Sequence, residues 1–157
     1  LRAIYPYSDA STLKFGLKDK MMAVENISVS LTTISTRIEK VHLTIQSLLA
    51  QSHSNLDVTL YLSRDPFLID AGIKTIPTPL LDLSAQHPNF KIAFVPNIGS
   101  YRKLLPELIR YFNTDKIIVT ADDDTIYPVD WLETLYAHHM HQKCIVCYRG
   151  HKMAVAD

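Results

Sequence analysis

Apolar and polar residues alternate over five short segments of the chain, and these segments are rich in β-branched side chains. Such alternation predicts β-strands, which we place at 27–33, 57–63, 90–96, 116–121 and 143–150. The fourth segment, KIIVTA, is the most hydrophobic, so we expect it to be a central strand of the sheet.

Apolar residues recur at helical spacing in most segments between the strands. The pattern predicts helices over 36–52, 100–112 and 128–141, whereas Pro77 and Pro79 divide residues 67–88, which are predicted to form short helical or irregular pieces. We expect Trp131 to pack the last helix onto the sheet, as large aromatic side chains usually do. Alternating strands and helices are typical of an α/β protein with a mostly parallel, Rossmann-like sheet and helices on both faces.

The length and composition are those of one ordinary globular domain. The 157 residues are 47% hydrophobic and 20% charged with a formal net charge of zero, so no nucleic-acid partner is expected. No apolar run approaches the roughly 20 residues of a transmembrane helix. Residues 1–26 lack a pattern and are predicted to be an N-terminal arm or peripheral segment, ahead of a domain over 27–157. The chain begins without Met and stops in an apolar stretch, so we expect this domain to be truncated at its C-terminus.

Cysteine and histidine residues near the end of the chain offer a weak metal signal. Cys144 and Cys147 have C-x-x-C spacing, but in a strand they point to opposite faces, so we predict small apolar core residues. His138 and His141 would share a helix face as metal ligands, yet histidines are also favoured at the C-terminal end of a helix dipole. His151 follows the fifth predicted strand and is a candidate neighbour of the site.

Polar residues follow four of the predicted strands, at 32–37, 63–65, 96–103 and 122–124. In parallel α/β sheets, ligands bind outside the carboxyl ends of the strands, so these clusters are expected to meet there. The last of them is a run of three aspartates, which we call the carboxylate triplet. Like charges this close repel each other, so a cation is expected nearby.

Asp122 and Asp124 are separated by one residue, so in an extended segment they share one side while Asp123 faces the other. Two carboxylates on one side suit Mn²⁺ or Mg²⁺. The alternative is a solvated turn ahead of a helix N-terminus, where acidic residues are also common. An EF-hand is excluded because Ile126 occupies a ligand position and Tyr127 stands where glycine is required.

The segment IIVTADDDTIYPVDWLETL resembles the D-x-D region of family-2-like nucleotide-sugar glycosyltransferases of the GT-A fold. Two other stretches are similar to the same group in matching order. ISVSLTTISTRIEKVHLTIQSLLAQS resembles its first strand, donor loop and first helix, and NIGSYRKLLPEL resembles the helix before the D-x-D strand. The resemblance covers about residues 27–150 and implies the nucleotide-sugar-binding half of a GT-A enzyme.

The resemblance also implies roles for the three acids. Asp124 is expected to bind a divalent metal, Mn²⁺ or Mg²⁺, that bridges the donor diphosphate. Asp122 is expected to hold the metal shell or the donor ribose. For Asp123 two interpretations stay open, a third donor contact and a solvated side chain.

Four further residues are expected to bind the donor. Thr32, Thr33 and Arg37 lie in the segment that resembles the donor loop, where they would meet the nucleotide. Lys103 is similar to a lysine of related transferases and would pair with the diphosphate or with the carboxylate triplet, and Arg102 is the weaker alternative. Both Arg37 and Lys103 are also compatible with ordinary solvated surface positions.

The implied function is a metal-dependent glycosyltransferase of the hexosyltransferase type, acting in polysaccharide or glycoconjugate synthesis. Its expected partners are a nucleotide-sugar donor, in the first place a UDP-sugar, and a saccharide or lipid-linked saccharide acceptor. The expected location is the cytoplasm, peripheral at the inner membrane, or the Golgi lumen for a eukaryotic protein. No general base is identified, because the resemblance implies that inverting GT-A enzymes carry it in an acceptor-binding half after this region.

Two other functions are compatible with the sequence. One is a non-catalytic α/β binding domain on a degenerate transferase scaffold. The other is a metal-dependent nucleotidyltransferase, which also uses paired acids but normally has a glycine-rich phosphate loop after its first strand. The corresponding segment here, LTTISTR, contains no glycine.

Overall fold

A computed structural model of the protein describes residues 25–150. It contains four strands: β1 (Ile27–Thr32), β2 (Leu56–Leu62), β3 (Phe90–Phe94) and β4 (Ile117–Thr120). Four of the five predicted strands are therefore confirmed, with small shifts at their ends. Most of the predicted N-terminal arm, and His151, lie outside the described residues.

The helices are α1 (Val41–Leu49), α2 (Thr78–Gln86), a 3₁₀ helix (Gly99–Lys103), α3 (Leu105–Arg110) and α4 (Trp131–Gln142). The first predicted helix begins later than expected, because residues 35–40 form successive turns before α1. The predicted helix over 100–112 is divided at Leu104, since the Pro106 ring opposes a continuous helix across this point. No helix within residues 25–150 has the length and apolar character needed to cross a membrane.

The strands form one sheet in the order β3-β2-β1-β4, and every pair is parallel. The predicted α/β class with a Rossmann-like parallel sheet is therefore confirmed. The predicted central position of the fourth strand is wrong, because β4 pairs with β1 alone among the described residues and lies at an edge. Its residues Ile117–Val119 are only half-buried, whereas the apolar residues of β1 and β2 are fully buried.

One face of β1 is apolar and the other is polar, and a different helical segment packs on each face. Ile27, Val29 and Leu31 alternate onto one face and join the apolar core with the buried residues of α1. Ser28 and Ser30 alternate onto the other face, where they bond the segment that contains the 3₁₀ helix and α3. Helical segments therefore cover both faces, as predicted.

The core contains aliphatic side chains from the sheet and from α1, α2 and α4, together with Phe90 and Trp131. Trp131, at the start of α4, is 9% exposed and belongs to this core cluster, which confirms its predicted packing role. The residues that form the cluster are Ile27, Val29, Leu31, Ile38, Val41, Ile45, Leu48, Leu56, Val58, Leu60, Leu62, Ile73, Leu80, Leu83, Phe90, Ala121, Trp131 and Leu132.

The fifth predicted strand does not form. Residues 143–150 are irregular, and Cys144 and Cys147 are exposed free cysteines rather than buried core residues. After α4 the chain turns at Lys143, whose φ of 53° is left-handed, and then returns along the helix, where Tyr148 donates its hydroxyl to Trp131 O. An alternating segment needs a neighbouring strand for its backbone groups, and this path does not bring one.

Candidate functional site

The polar clusters that follow the four strands meet at the carboxyl edge of the sheet, as the sequence predicts. Side chains from one loop bond groups of another at several places, and three of these links join pairs of loops at short distances. These links are Thr33 to Asp123 at 2.5 Å, Lys103 to Asp122 at 2.6 Å, and Asn97 to the backbone oxygen of Asp65 at 2.7 Å. Parallel pairing places all four strand ends on one side, so residues far apart in sequence become neighbours.

Asp123 is the buried member of the carboxylate triplet, with 5% of its side chain exposed. Its Oδ2 accepts a hydrogen bond from Thr33 Oγ1, and its Oδ1 lies 3.0 Å from Arg37 Nη2. Its backbone oxygen also accepts from Thr44 Oγ1 of α1 at 3.0 Å. The interpretation of Asp123 as a solvated side chain is therefore wrong, because this residue ties the triplet to the loop after β1.

Asp122 and Asp124 are the exposed members, with 68% and 62% of their side chains accessible. Lys103 Nζ lies 2.6 Å from Asp122 Oδ1, and Arg37 Nη1 lies 3.5 Å from Asp124 Oδ2. The exposure pattern follows the predicted alternation, in which Asp123 faces away from its two neighbours. Two cationic side chains of the protein therefore lie beside the triplet and offset two of its three negative charges.

Two aromatic rings support the backbone of the triplet. Asp122 donates its backbone N–H to the Tyr127 hydroxyl oxygen at 2.8 Å, and the ring centroids of Tyr127 and Trp131 are 4.2 Å apart. Burial raises the pKa of Tyr127, so its hydroxyl remains protonated at neutral pH. The turn that carries the acids is therefore fixed to the start of α4.

A buried ion pair lies beneath the exposed residues of the edge. Arg102 Nη2 is 3.0 Å from Asp70 Oδ2, and the two side chains are 1% and 3% exposed. Arg102 also donates to the backbone oxygens of Thr33 and Gly99, each at 3.2 Å. Arg102 therefore connects the loops that follow β1, β2 and β3.

Asp70 is fully used as a hydrogen-bond acceptor. Burial by itself would raise the pKa of Asp70, but hydrogen bonds from Ser35 N, Gly72 N, Asn97 and Arg102 outweigh it and hold the pKa below its usual value. The carboxylate is therefore charged at neutral pH and fixes the position of the arginine. Asp70 was missed by the sequence prediction, because a single aspartate within an irregular segment carries no pattern.

A cavity of ≈ 240 Å³ opens between these loops. Thr33, Arg37 and Arg102 give it polar walls, and Phe67 and Leu68 give it apolar ones. Its volume is below the roughly 300–1,000 Å³ of pockets that enclose a drug-sized ligand, so it suits one part of a larger molecule. Because Arg37 both lines the cavity and pairs with the triplet, the cavity and the acids form one continuous site.

The loop over the cavity has a constrained backbone. Leu68 has a φ of 53° and its side chain is 89% exposed, although a left-handed conformation costs a bulky residue roughly 1–2 kcal/mol. Gly72 has a φ of 75°, and a Cβ there would lie 2.2 Å from Arg64 O, so only glycine fits. The loop thus holds its apolar side chains beside the cavity, and the left-handed backbone at Leu68 makes this conformation unfavourable by itself.

Thr32 and Arg102 both line the cavity, but of the two only Arg102 has a side-chain donor without an acceptor in the described part of the chain. The Thr32 hydroxyl donates to Tyr61 O within the sheet at 2.7 Å, so its proton is used there, although the residue lines the cavity. Arg102 lines the cavity too, and its buried Nη1 has no hydrogen-bond acceptor among the described residues. A buried donor without an acceptor is unfavourable, so this nitrogen is suited to an oxygen atom of a ligand or a water molecule.

The described residues provide no group of three or more metal-ligating side chains. Asp122 and Asp124 are two exposed carboxylates at the edge. One oxygen of each, Asp122 Oδ2 and Asp124 Oδ1, has no protein partner within residues 25–150. Mg²⁺ and Mn²⁺ commonly take one or two protein carboxylates and complete their shell with phosphate oxygens and water. This donor set fits such an ion when a phosphorylated ligand is also present.

The histidines of α4 lie away from this edge. His139 Nδ1 is 2.8 Å from the backbone oxygen of Cys144, at the C-terminal end of the helix. This contact fits the interpretation in which histidines are favoured near a helix C-terminus.

No protein-family model matches the sequence, and no curated protein is significantly similar to it.

Proposed function

We propose that the chain binds a nucleotide-sugar donor through a divalent cation and forms the donor-binding part of a glycosyltransferase. The observation that carries the proposal is the continuity between two exposed carboxylates, two flanking cations and a partly apolar cavity at the carboxyl edge. A nucleoside diphosphate has the matching chemistry, with a ring system beside a multiply charged anion. The resemblance of the donor-loop and D-x-D segments agrees with this assignment.

Each part of the site has a task in the proposal. Asp122 and Asp124 hold Mn²⁺ or Mg²⁺, which when bound neutralises charge on the leaving diphosphate. Arg37 and Lys103 supply positive charge for the phosphate oxygens that the ion does not contact. Asp123 is a positioning residue, since Thr33 and Arg37 engage both of its oxygens and fix its two neighbours.

The cavity is proposed to hold the nucleoside. Phe67, Leu68 and Ile69 offer apolar contact for a ring, while Arg102 offers an unused buried donor. UDP is the first nucleotide to test, with GDP as the comparison. The sugar would then lie beside the exposed acids, where a saccharide or lipid-linked saccharide acceptor would approach from solvent.

Isothermal titration of UDP and GDP, each with and without Mn²⁺, tests the proposal on the full chain. We expect Mn²⁺ to raise the affinity for one nucleotide by about tenfold or more, within the usual range for coupled ligands. Asp122→Ala/Asp124→Ala should abolish this dependence on the metal. Absence of metal-dependent binding to either nucleotide would overturn the proposal.

A matched control removes two acids elsewhere. Asp82 and Asp115 are exposed and belong to none of the clusters at the carboxyl edge. Asp82→Ala/Asp115→Ala changes the net charge equally, so it should leave metal-dependent nucleotide binding unchanged. Equal losses in both double variants would show that net charge alone is responsible.

A further inference from the structure

The cations of the edge contact the carboxylates that a divalent ion would use, each through one of the two oxygens. Lys103 Nζ lies 2.6 Å from Asp122 Oδ1, and Arg37 lies 3.0 Å from Asp123 and 3.5 Å from Asp124. Lys103 donates its hydrogen bond directly to the carboxylate. A divalent ion at the triplet and the two side chains are therefore competitors, because they share the carboxylate groups of Asp122 and Asp124 and because like charges repel.

The two contacts to the outer acids are of the kind that exchanges easily. Lys103 is 27% exposed and Asp122 is 68% exposed, while Arg37 is 48% exposed and Asp124 is 62% exposed. Exposed ion pairs contribute little, because water and salt screen both partners. Asp123 differs, because it is buried and stays attached to Thr33.

The backbone of Lys103 is anchored while its side chain reaches solvent. Ser30 Oγ donates to Lys103 O, and Glu107 in the following helix accepts from Ser28 at 2.8 Å and from Tyr61 at 2.6 Å. Glu107 is fully buried. The long, flexible lysine side chain can therefore change its partner without any movement of the elements that carry it.

A second observation points to a ligand at the same place. Arg102 is 1% exposed and lines the cavity that Arg37 shares with the triplet, and its Nη1 is a buried nitrogen with no acceptor among the described residues. The site thus offers a positively charged wall to an anion in addition to its acids. A diphosphate satisfies both requirements, since it brings negative charge to the arginines and oxygen ligands to a metal.

We propose that Lys103, together with Arg37, is an exchangeable counter-ion that couples metal binding to diphosphate binding. The divalent ion takes the oxygens of Asp122 and Asp124, and the released side chains pair with oxygens of the diphosphate. The metal alone binds weakly because it must displace the cations, and the diphosphate alone binds weakly because the acids repel it. This inference rests on the proposed function and adds that the divalent ion and the diphosphate each bind more tightly when the other is present.

The coupling is reciprocal by thermodynamic linkage, so it is measured from either ligand. Binding of Mn²⁺ to the full chain is followed by electron paramagnetic resonance of the free ion, with and without UDP. In the wild type, UDP should raise the Mn²⁺ affinity by roughly 5-fold to 150-fold, the usual range of such coupling.

Lys103→Met removes the competitor and keeps the length of the side chain. Without UDP this variant should bind Mn²⁺ more tightly, by up to about fivefold, which corresponds to the loss of one exposed ion pair. With UDP the enhancement should shrink by about tenfold, because a charged hydrogen bond to phosphate is lost. Opposite signs in the two measurements are the signature of exchange.

Two further variants complete the design. Lys103→Arg keeps the charge and should retain the coupling. Lys91→Met removes an exposed lysine near the amino end of β3, the strand at the opposite edge of the sheet from β4, and should behave like the wild type.

The outcomes separate this inference from the proposed function. UDP coupling in the wild type, with unchanged Mn²⁺ affinity in Lys103→Met alone, overturns the exchange and leaves the proposed function intact. Tighter Mn²⁺ binding in Lys103→Met, without any UDP effect in the wild type, overturns the nucleotide assignment and leaves the competition for Asp122 supported. Absence of both effects overturns both proposals.

Discussion

Arg102 and Lys103 are consecutive cations at the same edge of the sheet, and their environments differ completely. Arg102 is 1% exposed and pairs with Asp70, which is 3% exposed, whereas Lys103 is 27% exposed and pairs with Asp122, which is 68% exposed. Both residues end the same 3₁₀ helix, so successive side chains point in different directions. The Arg102 side chain lies buried beneath the loops, and the Lys103 side chain extends toward solvent.

The difference separates a structural role from an exchangeable one. Arg102 also donates to the backbone of Thr33 and Gly99, so its removal breaks contacts between three loops. Lys103 makes one side-chain contact that water can replace. In buried pairs the loss of one partner leaves an uncompensated charge, and in exposed pairs it does not.

The largest expected effect is on stability after removal of the buried cation. Arg102→Met should lower the free energy of unfolding by about 3 kcal/mol, the lower end of the range for a broken buried pair, because Asp70 keeps three other donors. Urea denaturation at neutral pH measures it. A loss below about 1 kcal/mol would show that the pair is not structural.

The pH dependence of stability gives a smaller effect from the same pair. The pKa of Asp70 is lower in the folded chain than in the unfolded chain, so the unfolded chain binds more protons in acid. Stability should therefore decrease as the pH falls through the ordinary aspartate value of about 3.9. The effect is smaller than that of Arg102→Met because it is limited by the difference between the folded and unfolded pKa values of Asp70 alone.

The variant Asp70→Asn removes this contribution, so its unfolding free energy should depend less on pH between about pH 5 and 3. Exposed Asp82 provides the matched control as Asp82→Asn. Identical pH profiles for Asp70→Asn and the wild type would contradict the assignment.

The smallest expected effect on stability is that of the exposed cation. Lys103→Met should change the free energy of unfolding by no more than about 1 kcal/mol, because the pair with Asp122 is exposed and screened. The same urea titration, repeated at high salt, should bring wild type and variant together. A loss as large as that of Arg102→Met would remove the distinction between the two residues.

Much of the fold was predictable because its pattern is local. Four strands, their alternation with helices and the core position of Trp131 follow from hydrophobic spacing, and the structure confirms them. The fifth strand and the buried cysteines were wrong, because a strand also depends on a neighbour that no local pattern encodes. The edge position of β4 is likewise a property of the assembled sheet.

The candidate site was also predictable in part, where its residues follow a local sequence pattern. The sequence identified the clusters at the carboxyl edge, and Asp122, Asp124, Arg37 and Lys103 do lie together there. It left Asp123 open between a donor contact and a solvated side chain, yet this is the acid whose side chain is buried and bonded. Asp70 was missed, since its importance depends on donors from two other segments, those that follow β1 and β3.

The sequence by itself determined the four strands that form and the strand ends that carry polar residues, because alternation and helical spacing are properties of a few consecutive positions. Only the tertiary structure decided which of two adjacent cations, and which of three adjacent aspartates, is buried. Burial depends on the packing of distant loops, and it is burial that makes one charged pair structural and leaves the other free to exchange.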